Sequence, residues 1–149
     1  MTARVYSNVK TIPAKELSEK LESQVMKLGL PHGMMRPTLR DCLVEDSYYR
    51  GYVSVIYKKR TVVAWSLLFI SKWTEDVPRG HFFVKPGHRR KGLGTRLAKR
   101  MAKNSQEYFC QDFYYYEHDK RSCKFFNKMR DKQVAVSKDY QAYTTWCYF

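Results

Sequence analysis

Acidic side chains are few in this chain beside its basic ones. It holds 14 Asp and Glu against 28 Lys and Arg, a formal net charge of +14. None of the acids falls between Lys85 and Lys103, where eight basic residues do. Such an imbalance bears on association rather than on chemistry. It disfavours a small polycationic substrate and favours an RNA or an acidic protein surface as partner; a solvated basic face explains the same count. Long apolar runs are missing too, so no membrane crossing is expected, and no secretory leader pattern opens the chain. Cys42, Cys110, Cys123 and Cys147 form no C-x-x-C pair, and the four histidines do not gather around them. Disulfide frameworks and metal sites are therefore not expected, and reduced thiols in a cytoplasmic protein are.

What is present suits one globular domain over residues 1–149. A chain of that length buries roughly 68–70% of its unfolded surface without staples. Arg4 to Lys10 reads as a first strand, with a helix entered at Thr11-Ile12-Pro13. Leu17, Leu21, Val25 and Leu28 recur at helical spacing until Gly29 and Pro31. A short helix is expected over Leu39 to Asp46. Tyr52 to Tyr57 and Thr61 to Ile70 are rich in β-branched and aromatic residues and read as a hairpin around Lys58-Lys59-Arg60. Trp73 to Gly80 reads as a loop and His81 to Lys85 as a strand. A helix to about Tyr108 follows, carrying a basic stripe of Arg96, Lys99, Arg100 and Lys103. Phe113 to Glu117 reads as a strand, Ser122 to Met129 as a short helix, and Val134 to Phe149 as two tyrosine-rich strands. Strands and helices in this order make an α+β arrangement around one continuous sheet.

The most informative stretch runs from Val84 to Leu97. An apolar strand ends at Pro86, a basic turn punctuated by Gly92 and Gly94 follows, and an amphipathic helix begins. Glycines there let main-chain N–H groups approach a ligand. The start of the helix offers unpaired N–H groups and the positive end of its dipole. Together these make an anion site suited to a diphosphate. The spacing is not that of a Walker loop. It is not the dinucleotide fingerprint either, whose third glycine would fall on Leu97.

The pattern V-x-P-x-x-R-x-x-G-x-G-x-x-L, filled by Val84, Pro86, Arg89, Gly92, Gly94 and Leu97, resembles the acetyl-CoA-binding motif of the GNAT N-acetyltransferase superfamily. The element order is similar as well. The resemblance implies a single domain with a central mixed, mostly antiparallel sheet of about six to seven strands and about four flanking helices. It implies acetyl-CoA as cosubstrate and no metal. Phe82, Phe83, Val84 and Lys85 would follow the pantetheine arm, with a β-bulge near Phe83 freeing backbone groups. Arg89, Arg90, Lys91, Gly92, Leu93, Gly94 and Thr95 would hold the diphosphate, and Lys85 or an arginine would reach the 3′-phosphate. Met34 and Met35 are candidates for the acceptor wall, or core fillers.

The implied reaction is direct attack of a primary amine on the thioester. A lysine-like amine has a pKa of about 10.4, so a base must take its proton. His81 is the candidate, with Glu75 and Asp76 as competitors. The family pattern N-x-x-A-x-x-F-Y, whose tyrosine protonates the leaving thiolate, meets Asp119 at its first position and Phe126 at its last. Phe126 can line the cofactor but cannot give a proton. Tyr114, Tyr115, Tyr116, Tyr140 and Tyr143 are the substitutes on offer; a thiol with pKa around 8.5 also leaves unaided. The acceptor is expected on a protein or other macromolecule. Two alternatives stay open: a toxin-like enzyme acting on aminoacyl-tRNA, and a degenerate domain that binds coenzyme A or an acidic partner without turnover. Oligomeric state is open, a dimer included.

Overall fold

The computed structural model describes residues 5–28, 49–71, 77–115 and 120–138. The chain runs β1 (Lys10–Pro13), a 3-10 turn (Ala14–Glu16), α1 (Glu19–Leu28), β2 (Tyr49–Lys58) and β3 (Thr61–Ser71). It continues through β4 (Arg79–Val84), a further 3-10 turn (Pro86–His88), α2 (Leu93–Phe109), β5 (Phe113–Tyr115), α3 (Lys120–Asp131) and β6 (Val136–Lys138). The six strands form one sheet in chain order. Pairing is antiparallel from β1 to β4, and parallel between β4 and β5 and between β5 and β6.

β3 is covered on both sides, which explains its nearly unbroken apolar run. Trp65, Leu67 and Phe69 join Val53 and Val55 on one face, under Leu21 and Val25 of α1. On the other face Leu68 meets Ala98 and Met101 of α2 with Phe113, Tyr115, Phe126 and Met129. Ile56, Ala64 and Val84 pack there against Leu93 and Leu97, at the start of α2. A polar thread crosses the α2 face. Asn104, buried in the helix, donates to Thr11 Oγ1 (3.1 Å), which lies 2.9 Å from Ser54 Oγ. A buried amide is tolerated because it is bonded.

Several boundaries differ from the sequence reading. The first strand is Lys10–Pro13, not Arg4 to Lys10, because Thr11 and Ile12 pair with Ser54 and Val53 while Tyr6 makes only an isolated bridge to Lys58. Pro13 thus ends an edge strand, where its missing N–H matters little. α1 starts later than Pro13: Ser18 caps it, its Oγ accepting from the Leu21 N–H at 3.1 Å. β4 begins at Arg79, inside the expected loop. No bulge lies near Phe83, since β3 and β4 keep one register from Ala64↔Val84 to Phe69↔Arg79. The irregularity falls instead at Ile56/Tyr57 of β2. The helix expected over Leu39 to Asp46 and the tail beyond Lys138 lie outside the described residues. None of the helices among the described residues is long and apolar enough to cross a membrane.

Candidate active site

Register decides which backbone atoms of β4 are free. The Lys85 N–H donates to Val63 O (2.9 Å), which makes that opposed pair a hydrogen-bonded one. Alternation then turns the amides of His81 and Phe83 toward β3 and those of Gly80, Phe82 and Val84 toward β5. Among the described residues, β5 pairs with Arg79 and Gly80. Phe82 and Val84 therefore face a gap, without a strand partner among the described residues. One of these groups is taken: Arg89 Nε donates to Val84 O at 2.9 Å. β4 itself keeps its register without a bulge here.

The gap leads to the start of α2. Gly92 is the residue before the helix, at φ 80°, a left-handed conformation that favours glycine. No side chain caps this end. Arg96 is the first residue whose N–H finds an intrahelical carbonyl, that of Gly92 at 3.1 Å. The amides of Leu93, Gly94 and Thr95 are thus available to an anion, and no acidic residue stands in the first turn. The two glycines do different work. A Cβ on Gly92 would meet nothing within 4 Å, so glycine is required there for its backbone angle. A Cβ on Gly94 would lie 3.1 Å from Phe82 Cε2 and 3.3 Å from the Phe125 ring, so glycine there lets the helix end close on two rings.

The remaining residues singled out from sequence are placed as follows. Arg89 turns inward: besides Val84 O it lies over the Phe83 ring, 5.7 Å from the centroid, and so ties the turn to the strand. Lys85, Arg90 and Lys91 are exposed around the turn, and Arg90 also adopts a positive φ of 61°. Leu93 is core and Thr95 half-buried. Phe126 is 1% exposed and stacks on Tyr115 (4.5 Å, 15°), so its ring is core; Phe125 is the ring that reaches Gly94. Asp119, Glu75, Asp76, Met34, Met35, Tyr116, Tyr140 and Tyr143 lie outside the described residues. Tyr115 donates to Asn127 Oδ1 (2.7 Å) inside the core, and Tyr114 is half-buried beside it on β5.

His81 lies at the mouth of the gap but on the opposite face, 1% exposed, edge-on to Trp65 (5.8 Å, 81°) and near Phe69 (6.1 Å). His88 sits in the turn before Arg89, with Nδ1 2.9 Å from the Tyr6 hydroxyl. Burial, then the charges of Lys58, Lys85 and Lys91, hold its pKa below the ordinary 6.5. The N-terminal segment that supplies Tyr6 was not singled out from sequence. Neither were Lys58 and Phe125. These contacts join residues far apart in the chain and leave no local pattern.

The family model for the acetyltransferase (GNAT) family matches residues 15–130. The chain belongs to the GNAT family. Its fold is shared with a solved aminoglycoside acetyltransferase from an uncultured soil metagenomic sample, seen in complexes with trehalose (TM-score 0.54, 13% identity) and with sisomicin (0.54, 12%). Each comparison covers 91% of both chains. At that identity the likeness concerns the fold alone. No curated protein sequence matches the chain. In this GNAT domain the motif from Val84 to Leu97 stands at the β4–α2 junction, where no side chain caps the helix.

Proposed function

We propose that the protein is an acetyl-CoA-dependent N-acetyltransferase that acetylates a primary amine carried by a macromolecule. One observation carries the reading: the edge of β4 at Phe82 and Val84, without a strand partner among the described residues, leads toward the open amides of Leu93, Gly94 and Thr95. An amide-bearing arm ending in a diphosphate matches both halves of that surface. The bound cofactor supplies an activated acetyl thioester. The protein's residues grip and orient it: the α2 amides hold the diphosphate, Arg90 and Lys91 add charge around it, and the β4 edge aligns the arm through main-chain hydrogen bonds. Arg89 keeps the turn closed on Val84.

The attacking amine must lose a proton, because an alkylamine with pKa of about 10.4 is almost wholly protonated at neutral pH. We assign His81 of β4 the role of base. Glu75 and Asp76 remain its competitors. No tyrosine stands at position 126, so the thiolate leaves without that proton donor, consistent with a thiol pKa around 8.5. The basic surface favours an acceptor of acidic character, RNA-linked or protein, in the cytoplasm over a polycation such as an aminoglycoside.

A second reading, cofactor binding without turnover, is favoured by Phe126, whose buried ring cannot serve as an acid. Incubating the protein with isotopically labelled acetyl-CoA and cell lysate, followed by mass spectrometry, separates the two. Labelled amines that appear only with active protein establish the transferase. Cofactor binding without label transfer establishes the second reading.

A further inference from the structure

A second concave surface lies on the face of the sheet opposite α2. It is a cavity of about 670 Å³ between β1, the start of α1 and the turn that joins β2 to β3. Its floor is apolar and aromatic: Ile12, Leu21 and Tyr57 line it and belong to the core under α1. Ser7 secures Tyr57 at the end of β2, its N–H donating to Tyr57 O (2.8 Å) and its Oγ accepting from the Tyr57 N–H (2.9 Å). Gln24 ties α1 to the hairpin, its Oε1 accepting from the Val62 N–H at 3.2 Å. The NH₂ of the same amide remains a donor at the cavity wall. The rim is cationic. Lys10 of β1, Lys20 of α1 and Lys59 and Arg60 of the turn are all exposed there. Glu16 is the one carboxylate among the described residues that line it.

A floor of this kind inside a ring of cations suits a ligand with a flat face and negative charge at its edges. One nucleotide of a single strand is such a ligand, its base meeting the ring and its phosphates the cations. An acidic peptide satisfies the cations but brings no flat face to Tyr57, and a duplex keeps its bases stacked away from it. We propose that this cavity docks a single-stranded RNA, with Tyr57 under one base and Lys10, Lys20, Lys59 and Arg60 on the adjoining phosphates. Glu16, which repels phosphate, accepts from a ribose 2′-hydroxyl, the group that separates RNA from DNA. The proposal names the acidic acceptor of the reading above and rests on it for the chemistry. His81 packs edge-on to Trp65 and Phe69 and so shares this face. Along β3, Val62 opposes Tyr57 and Leu67 opposes His81. Those five residues of strand and two strand spacings set the cavity roughly 20 Å from His81. The docked nucleotide is thus not the one acetylated; it holds a chain whose amine lies several nucleotides away.

Fluorescence anisotropy of the full chain with a short labelled single-stranded RNA, across a salt series and without cofactor, tests the site. Tyr57→Leu should weaken binding about tenfold, the loss of one stacked base. Lys59→Gln combined with Arg60→Gln should flatten the logarithmic salt slope by about 1.4, two phosphate contacts at about 0.7 each. The same neutralisation of Lys99 and Lys103, exposed on α2, should leave the slope unchanged. A DNA strand of equal sequence should bind more weakly, and Glu16→Gln should narrow that difference. Equal flattening by the α2 pair, unchanged affinity in Tyr57→Leu or equal affinity for DNA overturns the site. So does displacement of the RNA by poly-glutamate as readily as by unlabelled RNA. Thermal melts verify folding, and the exposed Lys59 and Arg60 pair decides the matter should Tyr57→Leu unfold. Coenzyme A is titrated separately. RNA binding without coenzyme A binding overturns the transferase reading but not the site, and coenzyme A binding without RNA binding does the reverse.

Discussion

Gly92→Asp and Gly92→Asn differ by one charge and almost nothing else, which makes the pair a direct probe of the anion site. Gly92 sits at φ 80° with nothing within 4 Å of a would-be Cβ. Neither side chain clashes with the fold, and Asn and Asp are the non-glycine residues that best tolerate a left-handed angle, at about 1 kcal/mol. Both variants should therefore fold with similar loss. A carboxylate there would stand roughly 5 Å from a diphosphate on the α2 amides. At an effective dielectric of about 20, Coulomb's law gives roughly 3 kcal/mol per unit of ligand charge. Exposure and salt reduce this to about half, which is still about tenfold in affinity per unit charge. Titration of both variants with coenzyme A, alongside thermal melts, reads the difference. Gly92→Asn should keep measurable binding and Gly92→Asp should lose it. Equal affinities in the two variants would refute the placement of the diphosphate.

Other outcomes follow from the same geometry. Gly80→Ala places a Cβ 2.9 Å from Met101 Sδ and 3.0 Å from the Phe113 ring, so it should cost about 1–3 kcal/mol by overpacking, seen as a lower Tm. The pKa of His88 is held below its ordinary 6.5 in the folded protein, so the unfolded chain binds the proton first. Stability without cofactor should thus decline as pH falls below about 6.5, with a shallower decline in His88→Asn when melts are recorded across pH. His81→Ala should lower kcat by about a hundredfold or more if the ring is the base, with cofactor affinity unchanged in titration. An unaltered kcat would move that role to Glu75 or Asp76.

Local chemistry was legible in the sequence, and relations between distant segments were not. The hairpin of β2 and β3, α2 and the glycine turn that opens it at Gly92 all announce themselves through periodicity, β-branched content and glycine placement. Pro13 misled because proline opens helices and ends edge strands equally well, and only pairing with Tyr52 distinguishes the two. The alternation that turns the Phe82 and Val84 backbone away from β3 follows from the β3–β4 register, which no single residue marks. Phe126 occupies a motif position, yet its burial against Tyr115 appears only when α3 packs on the sheet. Tyr6 reaches His88 only by folding, from a segment that Ser7 ties to Tyr57 of β2.

The central claim is that open amides at the start of α2 and the free edge of β4 hold one ligand. A crystal structure of the protein with coenzyme A tests it most directly. The account predicts the diphosphate on the N–H groups of Leu93, Gly94 and Thr95 and the arm bonded to the main chain of Phe82 and Val84. A ligand bound elsewhere, or a gap filled by the protein's own side chains, would contradict it.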